Sequence, residues 1–352
     1  MKKSDISFYI DNGYFESPKE LQIEITNRCS LSCPQCYKPD LQQRDMDIAV
    51  FLRVVDEAQK LGIRTLVLNG GEPFLHGGII SILKILKGYN FQVLCISSGI
   101  GLNDKIIKTL KDLNLDFQLS ISLNGSTKEI NELSRDGYEV SKRAIDKLRM
   151  MNINFGINWV CRHDNVRDFP KLVSFAVSNG AKWVNIAANK LTGKGEAISA
   201  LETDDYIFIS EFLKNQKIVE KKYIRVQYCF ALLNDLRGFG VNKHLSGCPA
   251  GTLSLCVDVN GDFLPCTHLY FPEKFDSMQE YWNNSETIRI LRMLKENKKR
   301  CEGCLKPIPC HYCRMMFENT GQNILEEPSN CPLKKYYLEE RIQKDAIQTI
   351  TL

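Results

Sequence analysis

Residues 21 to 37 read LQIEITNRCSLSCPQCY, a strand-like run that passes straight into a loop holding Cys29, Cys33 and Cys36. Its alternation of apolar and polar residues predicts a strand over LQIEIT (21 to 26). The uneven CxxxCxxC spacing suits three corners of one cubane cluster, and three thiolates on a four-iron cluster leave one iron open to a small molecule. Structural zinc sites are instead closed by four ligands, usually two CxxC pairs, and the cysteines alone leave zinc open as a reading. The strand ends in Thr26 and Asn27, which places the loop at the carboxyl end of a sheet, where α/β folds bind their ligands.

The same rhythm continues downstream. Strand-like runs TLVLNG (65 to 70), FQVLCIS (91 to 97), FQLSISL (117 to 123), FGINWVC (155 to 161) and KWVNIA (182 to 187) alternate with amphipathic stretches at 47 to 61, 104 to 113, 141 to 150 and 166 to 178. Six βα units predict a parallel sheet, because parallel neighbours need helical crossovers. The expected fold is α/β, a partial (β/α)6 barrel over residues 21–200 after an N-terminal segment 1–20. Residues 201–240 read as a bridging region, a helix and then the short strand IRVQYCF. Cysteine density rises from Gly247, and residues 247 to 331 hold eight of the fourteen cysteines with many Gly, Pro and Asn. That composition predicts a small irregular, metal-organised domain over 241–335, closed by a helix over 336–352.

The composition is that of a folded globular protein. The chain has 352 residues, 43% hydrophobic and 25% charged, with a net charge of +4 and Lys and Arg interspersed with Asp and Glu. Nucleic acid is not implied, and the densest basic run, NKKR (297 to 300), reads as a solvated helix end. No secretory signal opens the sequence, and its most apolar window, 78 to 88, is too short to span a bilayer and contains a lysine. The expectation is a cytoplasmic protein without a membrane partner. Cysteines clustered at CxxC-like spacings in a reducing compartment indicate metal or iron–sulfur ligation rather than disulfides.

The second strand ends in Gly70, Gly71, Glu72 and Pro73. Two glycines allow backbone to approach a ligand closely, and the glutamate offers an acceptor for an ammonium group. CSLSCPQC followed by GGEP resembles the radical S-adenosylmethionine (radical SAM) enzymes. The resemblance implies a [4Fe-4S] cluster on Cys29, Cys33 and Cys36 whose open iron is chelated by S-adenosylmethionine. It implies reductive cleavage to a 5′-deoxyadenosyl radical that abstracts hydrogen. Carried over by position, the segment around Gly71 and Glu72 receives the methionine amino group. Ser98, in ISSG, and Ser122, in SISLNG, match positions that touch the ribose or carboxylate, and Arg135, in NELSRDG, matches an arginine that meets the carboxylate. The residue before the third cysteine, often aromatic in the family, is Gln35; Tyr37 follows the loop instead.

CPAGTLSLCVDVNGDFLPC (248 to 266), then Cys301, Cys304, Cys310, Cys313 and finally Cys331, resemble the SPASM extension of such enzymes, which carries two auxiliary [4Fe-4S] clusters. Here only His311 and Tyr312 separate Cys310 from Cys313, one residue fewer than the family pattern. By analogy Cys301, Cys304, Cys310 and Cys331 would hold the outer cluster, and Cys248, Cys266 and Cys313 the inner one. Its fourth ligand is open between Cys256, Cys229 and an unligated iron. CxxC pairs with His268 and His311 nearby also describe zinc ribbons, but neither set needs these histidines, which read as bystanders. Cys95 and Cys161 read as buried small hydrophobes. Glu24, Asp116 and Asp258 are candidates for a general base, and nothing in their spacing selects one.

The two-part layout resembles maturases acting on ribosomally made precursor peptides, with crosslinking, excision or side-chain oxidation as outcomes. A tetrapyrrole side-chain enzyme of haem pathways shares the second cysteine pattern, and an iron–sulfur electron carrier or zinc-organised adaptor is the alternative from another class. Many such maturases carry a leader-binding domain of about 80 residues, a size at which a domain can just fold alone. Only 28 residues precede Cys29, which leads to the expectation of a separate small leader-peptide-binding protein, beside a flavodoxin or ferredoxin-type reductant.

Overall fold

The computed structural model describes residues 12–38, 42–197, 200–215, 223–227, 248–296 and 313. Cys229, Cys301, Cys304, Cys310, His311 and Cys331, the basic run at 297–300 and the expected helix over 336–352 lie outside the described residues.

The chain alternates strand and helix: β1 (Glu20–Thr26), α1 (Ile48–Lys60), β2 (Thr65–Gly70), α2 (Ile79–Leu86), β3 (Gln92–Ser97), α3 (Asp104–Leu113), β4 (Phe117–Ser122), α4 (Lys128–Glu132), α5 (Tyr138–Met150), β5 (Phe155–Cys161), α6 (Phe169–Ser178), β6 (Val184–Ala188), α7 (Thr203–Asn215) and β7 (Ile224–Val226). Local chemistry sets several boundaries. The Asp47 carboxylate accepts from the Ala49 N–H and starts α1, Asn103 does the same for Ile106 at α3, and Asn114, at φ +46°, turns the chain out of α3. In α1 the residues Phe51, Val54, Val55 and Ala58 fall on one face and are buried. The apolar window at 78 to 88 is α2, whose Ile79, Ile82, Leu83 and Leu86 are buried.

The strands form one sheet in the order β7-β6-β5-β4-β3-β2-β1-β8-β9. From β1 to β7 every neighbour is parallel and follows in sequence, the topology of an open, incomplete barrel. β8 (Ser254–Val257) pairs parallel with β1, Gln22 opposite Cys256, and β9 (Phe263–Leu264) returns antiparallel. The second cysteine region therefore begins by extending the barrel's own sheet. Helices α8 (Met278–Asn284) and α9 (Glu286–Glu296) follow. Trp282 is fully buried and its indole N–H donates to the Phe15 carbonyl at 2.9 Å, tying α8 to the start of the barrel.

The two faces of the sheet differ in kind. Leu21, Ile23, Ile25, Leu66, Leu68 and Ile157 point outward and join the main core under the helices. The inner face carries Gln22, Glu24, Asn69, Ser120, Asn158 and Asn185 among the apolar Val67, Leu94, Ile96 and Val160, where closed barrels place branched apolar layers throughout. These residues bond across strands: Asn69 Nδ2 donates to Gln22 Oε1 (3.4 Å), and Trp183 Nε1 and Asn185 Nδ2 donate to Ser120 Oγ (3.0 and 3.1 Å). Cys95 and Cys161 are buried on the outward side, as expected for small hydrophobes. Among the described residues no helix is long and apolar enough to cross a membrane.

Gly156 lets Trp183 lie flat against the inner face, since a Cβ there would stand 2.1 Å from Trp183 Nε1. Replacing Gly156 by Ala is expected to displace the indole and destabilise the fold by about 1–3 kcal/mol, the usual cost of overpacking. A lowered urea midpoint with altered Trp fluorescence is the readout.

Candidate functional site

The cysteine loop is fixed at its root by the end of β2. Gly70, at φ +126°, and Gly71 lie so close to β1's exit that a Cβ on either would stand 2.2 Å from a carbonyl oxygen, of Thr26 and Arg28 respectively. The close approach is a pair of hydrogen bonds: the Gly71 N–H donates to Thr26 O and the Glu72 N–H to Arg28 O, both at 2.7 Å. Only glycine has the backbone freedom and the missing Cβ that this contact requires. The Thr26 hydroxyl adds a bond to Asp45 Oδ1 at 2.7 Å.

Glu72 serves differently from its sequence-based expectation as an open acceptor. It is 1% exposed, and both oxygens are taken. Oε1 accepts from Ser97 Oγ (2.7 Å) and the Phe74 N–H (3.2 Å), while Oε2 accepts from the Ser98 N–H (2.7 Å) and Ser98 Oγ (2.5 Å). Burial raises its pKa, and these bonds oppose the rise. Glu72 is thus a clamp between the ends of β2 and β3. Ser98 belongs to the same clamp, its hydroxyl spent on Glu72. Pro73 opens the short 3-10 turn Pro73–Leu75 that Glu72 caps. Ser122 is buried at the end of β4, its carbonyl accepting from Ser141 Oγ at 3.2 Å.

The far side of the loop is held by the segment after β4. Asn124, fully buried, donates to Gln35 Oε1 (2.6 Å) and Ser134 Oγ (2.7 Å), and its Oδ1 accepts from the Val160 N–H at 3.2 Å. The Ser32 N–H donates to Asp136 Oδ2 (2.9 Å), and the Gln35 N–H to Ser134 O (3.1 Å). Gln35, in the position the family often gives to an aromatic residue, therefore anchors the loop.

The three loop cysteines carry free thiols, Cys33 buried and Cys29 and Cys36 half-buried. Burial raises the Cys29 thiol most, and Cys33, Glu72 and Cys36 push in the same direction, which brings these groups into one locality. Burial likewise raises Cys33, opposed first by Arg135. Arg135 Nε is buried with no hydrogen-bond partner among the described residues. No group of three His, Cys, Asp or Glu among the described residues is arranged to hold a single metal ion. Three soft thiolate donors in this loop, beside a guanidinium whose Nε is unspent, fit an iron–sulfur cluster with an anionic ligand.

The second region also gathers its cysteines. The Cys248 thiol is raised first by a hydrogen bond with Cys313, then by burial, with Cys266 adding to it. These three converge. Cys256 is buried on the inner face of β8, raised first by burial and then by Glu24 and Cys266. His268, read from sequence as a bystander, lies with Nδ1 3.4 Å from Cys266 Sγ, and burial followed by Lys190 pushes its pKa down to about 3. Its ring packs on Tyr37 at 4.3 Å between centroids. Tyr37 thus joins the first cysteine loop to the second region, a link that no spacing in the sequence could reveal.

Residues 23–176 match the Radical SAM superfamily. The PqqA peptide cyclase of Methylocella silvestris is 26% identical over 333 residues, 89% of this chain and 87% of that protein. The AdoMet-dependent heme synthase of Methanosarcina barkeri is 24% identical over 336 residues, 89% of this chain and 96% of that protein. Among solved structures, Streptococcus suis SuiB bound to S-adenosylmethionine superposes with a TM-score of 0.74 at 15% identity, covering 93% of this chain and 80% of that one. SuiB bound to precursor peptide SuiA gives 0.70 at 16% identity, covering 82% and 70%. These structural likenesses show a shared fold.

Changing Glu72 to Gln sets an amide N–H2 against the Ser97 and Ser98 donors inside the clamp. A loss of about 2–4 kcal/mol is expected, a buried charge-assisted network broken at one member. Chemical denaturation, with iron retention measured on the same protein, checks it.

Proposed function

We propose, for a chain that is a radical SAM enzyme with its radical SAM domain over residues 23–176, that it is a maturase acting on a ribosomally made precursor peptide. What carries the reading is the reach of the likeness: PqqA peptide cyclases match 89% and 95% of this chain, and so extend past the barrel into the second cysteine region. Hydrogen abstraction from the peptide would lead to a crosslink, an excision or a side-chain oxidation.

Cys29, Cys33 and Cys36 would hold the [4Fe-4S] cluster that binds S-adenosylmethionine. When bound, the cluster, once reduced by the external reductant, would supply one electron for reductive cleavage of the cofactor's sulfonium, the source of its hydrogen-abstracting chemistry. The chain's own residues orient the cofactor. With Glu72 occupied by Ser97 and Ser98, the backbone of Gly70 and Gly71 is what remains to receive the methionine ammonium. Arg135, its Nε unspent, would pair with the carboxylate, and Ser122 would sit beside it at the end of β4. Ser98 would act by holding Glu72, and Tyr37 would wall the site against His268.

Residues 241–335 would form the SPASM region with two auxiliary [4Fe-4S] clusters. Cys248, Cys266 and Cys313, with Cys256 beside them, would hold the inner one, and Cys301, Cys304, Cys310 and Cys331 the outer. A radical left on a peptide carbon must lose or regain an electron to finish, and auxiliary clusters held by these cysteines would supply electron-transfer chemistry for that. A flavodoxin or ferredoxin-type reductant and a small leader-peptide-binding protein are the proposed partners, in the cytoplasm. The heme synthase likeness, equal in reach, favours a second reading in which a tetrapyrrole side chain is the substrate.

Anaerobically reconstituted protein with a strong reductant is expected to carry about twelve irons per chain and to form 5′-deoxyadenosine from S-adenosylmethionine. Cys33→Ala is expected to reduce that product to background and the iron to about eight. Full iron loading without cofactor cleavage would overturn the enzyme reading. Product formed on porphyrin substrates but on no peptide would replace the maturase by the tetrapyrrole enzyme.

A further inference from the structure

Three acceptor atoms on the inner face are buried and have no hydrogen-bond partner among the described residues: Glu24 Oε1, Asn69 Oδ1 and Asn158 Oδ1. Glu24 and Asn69 are register partners in the β1–β2 ladder, so their side chains project from adjacent strands onto the same face. Glu24 is itself only 1% exposed.

Its other oxygen is committed. Lys38 Nζ stands 2.8 Å from Glu24 Oε2 and 2.9 Å from Asn27 Oδ1. Lys38 follows Cys36 by two positions, so this ion pair sits at the root of the cysteine loop, at the end of the sheet where the chemistry is expected. The lysine takes one carboxylate oxygen, Oε2, and leaves Oε1 buried on the inner face of β1, the strand face it shares with the register partner Asn69.

Neither of the other carboxylates named from sequence is comparable. Asp258 is filled by its own turn, accepting from the Asn260 N–H (2.8 Å), the Asp262 N–H (3.0 Å), Asn260 Nδ2 (3.0 Å) and Tyr270 OH (3.3 Å). Asp116 is exposed at the opposite end of the strands, before β4 begins. A buried carboxylate oxygen without a donor is costly and rarely kept in native structures unless something fills it.

We propose that Glu24 and Asn69 form a substrate subsite selecting a side-chain nitrogen with at least two hydrogens: an amine, a guanidinium or a carboxamide. The proposal rests on the peptide reading above and names which peptide residue is placed next to the reaction centre. A backbone N–H or a hydroxyl has one hydrogen and can satisfy only one of the two oxygens. An aliphatic or unsubstituted aromatic side chain satisfies neither, and a carboxylate is repelled by both. Lys38 plays a positioning part, turning Glu24 Oε1 to the substrate.

The test uses short random peptides displayed on their encoding nucleic acid and selected on the reconstituted full-length protein with S-adenosylmethionine bound. Bound peptides are expected to be enriched at one position in Lys, Arg, Gln or Asn by about tenfold or more over other side chains, as when a polar site rejects what leaves it unpaired. Lys and Arg against Gln and Asn then tells a cationic from a neutral donor. In Glu24→Gln the amide oxygen stays on Lys38 and the N–H2 faces the substrate, so the enrichment is expected to vanish and shift toward Asp and Glu. Asn69→Ser, on a half-buried residue, is expected to weaken the enrichment without reversing it. S-adenosylmethionine affinity and thermal unfolding are measured on each variant. Selected peptides without an N–H2 bias would overturn the subsite and leave the maturase reading standing. Selection of no peptide at all would remove both. A loss of S-adenosylmethionine affinity in Glu24→Gln, with the peptide profile unchanged, would move Glu24 to the cofactor site and overturn the proposal.

Discussion

Everything at the top of this sheet hangs from the contact between the ends of β1 and β2. Gly70 and Gly71 bring their backbone against Thr26 and Arg28 at hydrogen-bond distance, and no side chain could be inserted there without driving the strands apart. Glu72 then spans to β3 through Ser97 and Ser98. The three strand ends become one rigid seam from which the cysteine loop departs. A cluster site whose thiolates are fixed before the metal arrives binds it more tightly, since ordering them afterwards costs binding energy. Glycine-glycine-glutamate provides that fixing with backbone bonds and one buried carboxylate.

Much of the fold was legible because its signals are periodic. The periodicity predicts the strands observed over 65–70 and 155–161 and the helix observed over 104–113. Boundaries are less legible: β6 spans Val184–Ala188 where the pattern predicts 182 to 187, although the Lys182 N–H and the Trp183 carbonyl still bond to β5. Nothing in the sequence places β8 in the barrel sheet, since four residues carry little pattern and its partner β1 lies more than 200 positions earlier. The site divides in the same way. The cysteine loop and the glycines announce themselves by spacing, but the occupation of Glu72 depends on two serines from the next strand. Asn124 and the Glu24–Lys38 pair were missed for that reason: their meaning lies in what they touch.

Charge is handled sparingly inside this barrel. Glu24, Lys38 and Asp258 are brought within electrostatic reach of one another, with the lysine lowering and Asp258 raising the Glu24 pKa against a dominant effect of burial. His268 is held neutral at ordinary pH by its burial and by Lys190. A radical intermediate is best served by surroundings that hold hydrogen bonds firmly and offer few mobile protons, and the amide-rich inner face of Gln22, Asn69, Asn158 and Asn185 meets that description.

The pairing of β8 with β1 ties the two cysteine regions through backbone hydrogen bonds as well as through Tyr37 and His268. Strip β8 away and β1, the strand that delivers the first cysteines, becomes an uncovered sheet margin with bare N–H and C=O groups, the kind of template on which chains self-associate. Loss of order in the second region would then be felt as a solubility problem before it was felt as lost turnover: a chain whose β8 came away would expose the flank of its first cysteine region and be drawn into aggregates or degraded. In the cell, the integrity of the second region would set how much of this protein persists as well as how much of it works.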